Sequence, residues 1–128
     1  MSVLLDTHVV LWFLADDSRL SARAAELIED ESVDITVSVA SLLEIALQIT
    51  AGRFGGSPEL ITKVAEFIDR LRIRLLAVER DHVLRTIELP KHHVDPFDRL
   101  LVAQAQIERI PVLTSDPLIR KYAVETIW

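Results

Sequence analysis

The 128 residues of this chain predict an α/β fold, a parallel sheet with helices on both faces. Short apolar or β-branched runs alternate with segments whose apolar residues recur at helical spacing. No repeat, low-complexity tract or interdomain linker interrupts that alternation, so right-handed crossovers joining parallel strands follow. Four acids, Asp6, Glu44, Asp98 and Asp116, fall where a strand gives way to a helix or just inside that helix. Open α/β sheets gather functional residues at that edge. The length suits one domain, residues 1–128.

Ser2 to Asp6 reads as a short buried strand and Thr7 to Ala15 as an apolar helix. Ser21 is a fitting N-cap for a second helix running to Glu31, with Ala24, Leu27 and Ile28 on one face. β-Branched enrichment makes Val33 to Ser38 the second strand. Val39 to Ala51 follows as a helix apolar almost all round, the pattern of a buried helix. Ser57-Pro58 opens a helix to Arg72, with Leu60, Val64, Phe67, Ile68 and Leu71 at helical spacing. Arg72 to Val78 gives the third strand and Arg80 to Leu89 a short helix. Pro96 to Ile110 forms a long helix and Val112 to Thr114 the fourth strand. Pro117 to Tyr122 makes a last helix and Val124 to Trp128 the fifth strand. All three glycines lie in one connection, Gly52-Arg53-Phe54-Gly55-Gly56, which reads as a helix cap and turn. The functional alternative is a mobile flap carrying Arg53.

Composition narrows the function classes. The longest apolar stretches, such as Val9 to Ala15, are far too short to span a bilayer, and no signal-peptide pattern opens the chain. A cytoplasmic protein with no membrane partner is expected. Without cysteine, thiolate metal sites are excluded and any metal is held by oxygen or histidine. The net charge of −6 argues against a broad basic surface for nucleic acid, but not against an enzyme that meets phosphates through a metal. Half the residues are apolar, which hints at surface buried against a partner.

Each acid has an ordinary structural reading. Asp6 and Asp116, the latter followed by Pro117, suit helix N-caps. In Asp95-Pro96-Phe97-Asp98, Asp95 caps and Asp98 complements the helix dipole. Glu44 is different. Ser41-Leu42-Leu43-Glu44 matches a capping box, yet the apolar run starts earlier, at Val39-Ala40. An ionised Glu in a buried helix is costly unless paired or bound to a cation, and Ala40, Ser41, Leu47 and Gln48 at i±3 and i±4 offer no positive charge.

Four acids in one site call for a divalent cation, and oxygen ligands select Mg²⁺ or Mn²⁺. His8, His92 and His93 show no paired metal-ligand spacing and read as solvated loop or packing residues. Trp12 and Phe13 read as core, although the first helix can also expose an apolar strip. There is no P-loop, GxGxxG, HExxH or nucleophile elbow.

The chain also resembles PIN-domain nucleases, and among them VapC-type toxins of type II toxin–antitoxin systems. The likeness runs through Leu4-Leu5-Asp6-Thr7-His8, Leu11-Trp12, Ser41-Leu42-Leu43-Glu44-Ile45-Ala46, Thr114-Ser115-Asp116-Pro117 and Tyr122 to Trp128. Its most specific stretch is His92-His93-Val94-Asp95-Pro96-Phe97-Asp98-Arg99-Leu100-Leu101-Val102-Ala103-Gln104-Ala105. The resemblance implies a five-stranded parallel sheet in order 3-2-1-4-5 and a Mg²⁺- or Mn²⁺-dependent endoribonuclease cutting single-stranded regions of structured RNA. It places Asp6, Glu44, Asp98 and Asp116 at the metal, Thr7 and Thr114 close to it, and Asp95 as an extra acid with a mainly capping role. It further implies a homodimer and an antitoxin whose extended segment blocks the site. Gln48 departs from the family, whose close members often carry a basic residue there, which leaves Arg53 and Arg99 as candidates for phosphate positioning.

The reading is a metal-dependent endoribonuclease toxin acting through an activated water. Its rival is a non-catalytic PIN-like module that binds protein or RNA. A phosphatase of the Asp-x-Asp type is disfavoured, because His8 occupies the second acidic position.

Overall fold

The structure is a computed structural model and describes residues 1–128. Its elements are β1 (Ser2–Leu5), α1 (Thr7–Leu14), α2 (Ala22–Glu29), β2 (Asp34–Ser38), α3 (Val39–Thr50), α4 (Glu59–Arg70), β3 (Arg74–Leu76), α5 (Arg80–Glu88), α6 (Pro96–Glu108), β4 (Val112–Leu113) and β5 (Thr126–Ile127). A short 3₁₀ turn lies at Ile119–Lys121, and Arg53–Gly56 is a turn in which Phe54, Gly55 and Gly56 are left-handed. All strand pairs are parallel and the sheet order is β3-β2-β1-β4-β5, as the resemblance implied.

The pleat of the central strand explains the two-layer core. Val3 and Leu5 point to one face, where Ile35, Val37 and Leu113 join Val9, Val10, Ile45, Val64 and Phe67 from the helices. Leu4 points to the other face, against Leu76, Val112, Leu101, Val102 and Tyr122. Val3, Leu4 and Leu5 are all fully buried. Each buried aliphatic side chain of this size contributes about 1.5–3 kcal/mol, and a one-residue slip would turn all three to the wrong face. Register in β1 is therefore strongly fixed, and so is the place of Asp6 just beyond it.

Three expected elements differ. The third strand starts at Arg74 rather than Arg72, because Arg72 takes a left-handed φ of 53° that closes α4, with Ile73 N–H donating to the Ile68 carbonyl at 2.9 Å. No α-helix forms over Pro117 to Tyr122. The Asp116 carboxylate and carbonyl accept from Leu118 and Ile119 N–H, and the single 3₁₀ turn that follows puts buried Ile119 and Tyr122 into the same core. Helix α3 is not buried all round either: Val39, Leu43 and Leu47, four residues apart, form a stripe open to solvent. Gly52 does end α3, in the left-handed conformation at φ 83°. No helix is long and apolar enough to cross a membrane.

Candidate metal centre

Asp6 follows β1 directly and caps α1, its carboxylate accepting from His8 N–H at 3.2 Å. The second carboxylate oxygen accepts from the hydroxyl of Thr114 at 2.7 Å. Thr114 follows β4, is fully buried, and its hydroxyl accepts from the Asp116 N–H at 3.0 Å. One hydroxyl thus ties the ends of the neighbouring strands β1 and β4 and fixes Asp6 relative to Asp116.

Strand β2 passes into α3 without a loop. Ser38 caps the helix by accepting from Ala40 N–H, so Ser41 is not the N-cap and the capping-box arrangement with Glu44 does not form. Glu44 lies one turn further on, buried on the inward face beside Ser41, whose hydroxyl accepts from Thr7 at 2.8 Å. Asp95 caps α6 through Phe97 N–H at 2.7 Å and is itself exposed; Pro96 takes the first helical position, and Asp98 sits in the first turn, half-buried.

Asp6, Glu44, Asp95 and Asp98 share one electrostatic field. Burial pushes the Asp98 carboxyl up to about 7, reinforced by the charges of Asp95, Asp6 and Glu44 and opposed by His93. Burial also raises Glu44, with the charges of Asp95 and Asp6 adding to the rise and the neighbouring Thr7 hydroxyl and His8 opposing it. His8, whose Nδ1 lies 3.6 Å from Asp6, is raised chiefly by its hydrogen bond to that carboxylate. Carboxylates gathered in this way, with only the imidazoles of His8 and His93 beside them, are a donor set that a divalent cation neutralises.

The tightest group of ligand atoms contains a residue that sequence reasoning set aside. His93, Asp98 and Asp116 place one donor each within 4.8 Å of one another. His93 is buried, not solvated, with Nε2 3.0 Å from Asp116 and 3.9 Å from Asp98. A histidine in a polar loop carries no periodic cue. Its one available signal was that the loop feeds directly into the helix bearing Asp98. Asp6 and Glu44 lie outside this group and act on it through Thr114 and through the shared field.

The two arginines also part company. Arg99 is committed elsewhere: its guanidinium donates to the carbonyls of Thr86, Leu89 and Pro90 at 2.6, 3.2 and 2.8 Å, closing the end of α5. It therefore faces backbone carbonyls instead of the acids. Arg53 is exposed and lines a hollow with Glu44, Gln48, Asp95 and Phe97. It also borders a larger groove of about 540 Å³ with His8, Leu11, Trp12, Phe54 and Leu60.

A family model described as PIN domain matches residues 3–125. Ribonuclease VapC22 of Mycobacterium tuberculosis is 28% identical over 124 residues, covering 94% of this chain and 92% of that protein. The structure of VapBC2 from Rickettsia felis bound to a promoter DNA fragment is similar with a TM-score of 0.77 at 14% identity, covering 99% of this chain and 98% of that one. DNA-bound VapBC from Salmonella typhimurium is similar with a TM-score of 0.72 at 16% identity, covering 99% of this chain and 97% of that one. At these identities the solved structures speak for the fold.

Proposed function

From the premise that this chain belongs to the PIN-domain family, we propose that it is the ribonuclease toxin of a toxin–antitoxin pair. Its reaction is divalent-cation-dependent hydrolysis of phosphodiester bonds in single-stranded regions of structured RNA. The observation that carries this reading is the mutual repulsion of Asp6, Glu44 and Asp98, with Asp116 tied to Asp6 through the Thr114 hydroxyl and no arginine or lysine bonded to any of them.

Asp98 and Asp116 would hold a Mg²⁺ or Mn²⁺ ion, with Asp6, tied to this edge by the Thr114 hydroxyl, completing the acidic set. When bound, the cation supplies Lewis-acid stabilisation of charge developing on the phosphodiester and lowers the proton affinity of water. Glu44 orients the attacking water and takes its proton at a carboxylate oxygen, a role suited to a carboxyl whose burial raises its basicity. Thr7 holds Ser41 against the inward face of α3 and so steadies the neighbourhood of Glu44. Arg53 is the cation placed to meet a substrate phosphate beside Glu44. The groove between α1 and α4 runs to Arg53 and suits an extended antitoxin segment that blocks the site. A homodimer belongs to the same reading.

Asp6→Asn and Asp98→Asn are each expected to lower RNA cleavage at least 100-fold while far-UV circular dichroism stays unchanged. EDTA is expected to abolish cleavage and added Mg²⁺ or Mn²⁺ to restore it. Full activity of either variant, or activity persisting in EDTA, overturns the mechanism.

A further inference from the structure

We infer that His93 is itself a ligand of this centre through Nε2, making it a mixed nitrogen–oxygen site that prefers Mn²⁺ to Mg²⁺. The inference rests on the proposed cation-dependent reading and adds to it a donor outside the acidic quartet.

The spacing of the donors is the first argument. With bonds of about 2.1 Å, adjacent ligands of an octahedral ion lie about 3.0 Å apart and opposite ones about 4.2 Å. His93 Nε2 lies 3.0 Å from Asp116 Oδ2, the adjacent spacing, and 3.9 Å from Asp98 Oδ2, a few tenths short of the opposite one; all three donors fall within 4.8 Å, so a small closing of the Asp side chains brings them onto one ion. The three donors come from the loop before α6, from α6 itself and from the segment after β4.

The second argument is the other face of the ring. His93 Nδ1 lies 3.1 Å from the Tyr122 hydroxyl, which also accepts the His93 backbone N–H at 3.1 Å. A phenol oxygen has capacity for both N–H groups. Without an ion, Nε2–H donates to Asp116 at 3.0 Å; a bound cation would take the place of that proton, with the ring proton on Nδ1 donated to Tyr122 and the Nε2 lone pair left to the ion. A histidine ligand held by an outer hydrogen-bond partner has this arrangement. Tyr122 also stacks on the imidazole at 5.5 Å between centroids and 9° between planes, which sets the ring orientation. Tyr122 is buried in the second core layer, so the whole assembly is anchored to the fold.

The chemical consequence is selectivity. Carboxylate and water suit Mg²⁺, whereas imidazole adds affinity for first-row transition ions and little for Mg²⁺.

The test is electron spin-echo envelope modulation of the full chain loaded with one equivalent of Mn²⁺, with calorimetric titration of Mn²⁺ and Mg²⁺. The wild type and His8→Ala are expected to show imidazole ¹⁴N modulation that histidine-specific ¹⁵N labelling removes. His93→Gln is expected to lose it and to lower the Mn²⁺-to-Mg²⁺ affinity ratio at least tenfold. Tyr122→Phe is expected to keep the modulation while weakening Mn²⁺ binding by about tenfold, the usual effect of losing an outer partner. Tight Mn²⁺ binding without nitrogen modulation in the wild type overturns the inference and leaves the cation-dependent reading standing. No Mn²⁺ or Mg²⁺ binding at millimolar concentration overturns both. The wild-type spectrum decides the matter even if a variant fails to fold.

Discussion

Asp98 combines two roles in one side chain: it complements the dipole of α6, and burial, reinforced by the other acids around it, raises its carboxyl to about 7. A folded value above the ordinary carboxylate range means that the folded state binds more protons than the unfolded one. The resulting stability is full below about pH 4 and lost as pH rises through about 7. The metal-free protein is therefore expected to resist urea better at pH 5 than at pH 8, by on the order of 1–2 kcal/mol after discounting for solvent screening. Asp98→Asn removes most of that difference, and equal pH dependence in the variant and the wild type contradicts the assignment. At this scale the sequence was partly legible. Glu44 stood out because an acid in an apolar helix with no cation a turn away has few structural explanations. His93 did not, because its burial depends on Tyr122, 29 residues away.

Among the elements, α6 ends abruptly at Arg109, which holds a left-handed conformation at φ 57° and ψ 47° with its side chain exposed. Ile110 N–H reaches back to the Ala105 carbonyl at 3.1 Å, so the chain turns there whatever the residue prefers. Arg109→Gly relieves the Cβ strain and is expected to raise stability by about 0.5–1 kcal/mol in thermal or urea unfolding. A loss of stability would show that Arg109 makes a contact worth more than its strain. Helix existence was readable from periodicity and caps: Ser21 and Asp95 bond Ala24 and Phe97 as their positions suggested. The failures, at Arg72 and over Pro117 to Tyr122, share a cause. Both are places where burial and turn hydrogen bonds override local preference.

For the molecule as a whole, the apolar surplus noticed in the composition has an address. It lies on α3, at Val39, Leu43 and Leu47, and on α5, at Val83, Leu84 and Ile87, all exposed. On α1, Trp12 and Phe13, read as core, are half-buried: Trp12 meets Trp128 edge-on at 5.9 Å and lies under the Arg19 guanidinium at 5.0 Å, and Phe13 packs on Phe67. If the proposed homodimer uses the α3 and α5 faces, the double substitution Leu43→Asp and Ile87→Asp yields a monomer in sedimentation experiments. The melting temperature of that monomer is expected to fall little, because neither side chain contributes to the buried core. A double variant with wild-type mass excludes these faces. Composition alone held the existence of such surface but not its place, since helical periodicity cannot tell a face turned to solvent from one turned to the sheet.

The guanidinium of Arg99 has a consequence beyond closing α5. By holding the Pro90 carbonyl at 2.8 Å it pins one end of the stretch that carries His92 and His93; Asp95 pins the other end, and Tyr122 grips the middle. What looks in sequence like a slack polar connection is a rigid bracket. Much of the entropy of ordering it is lost when the chain folds, which leaves less to lose on binding the proposed ion. A residue first considered for touching phosphate thus acts at one remove, holding in shape the loop that carries the proposed ligand His93.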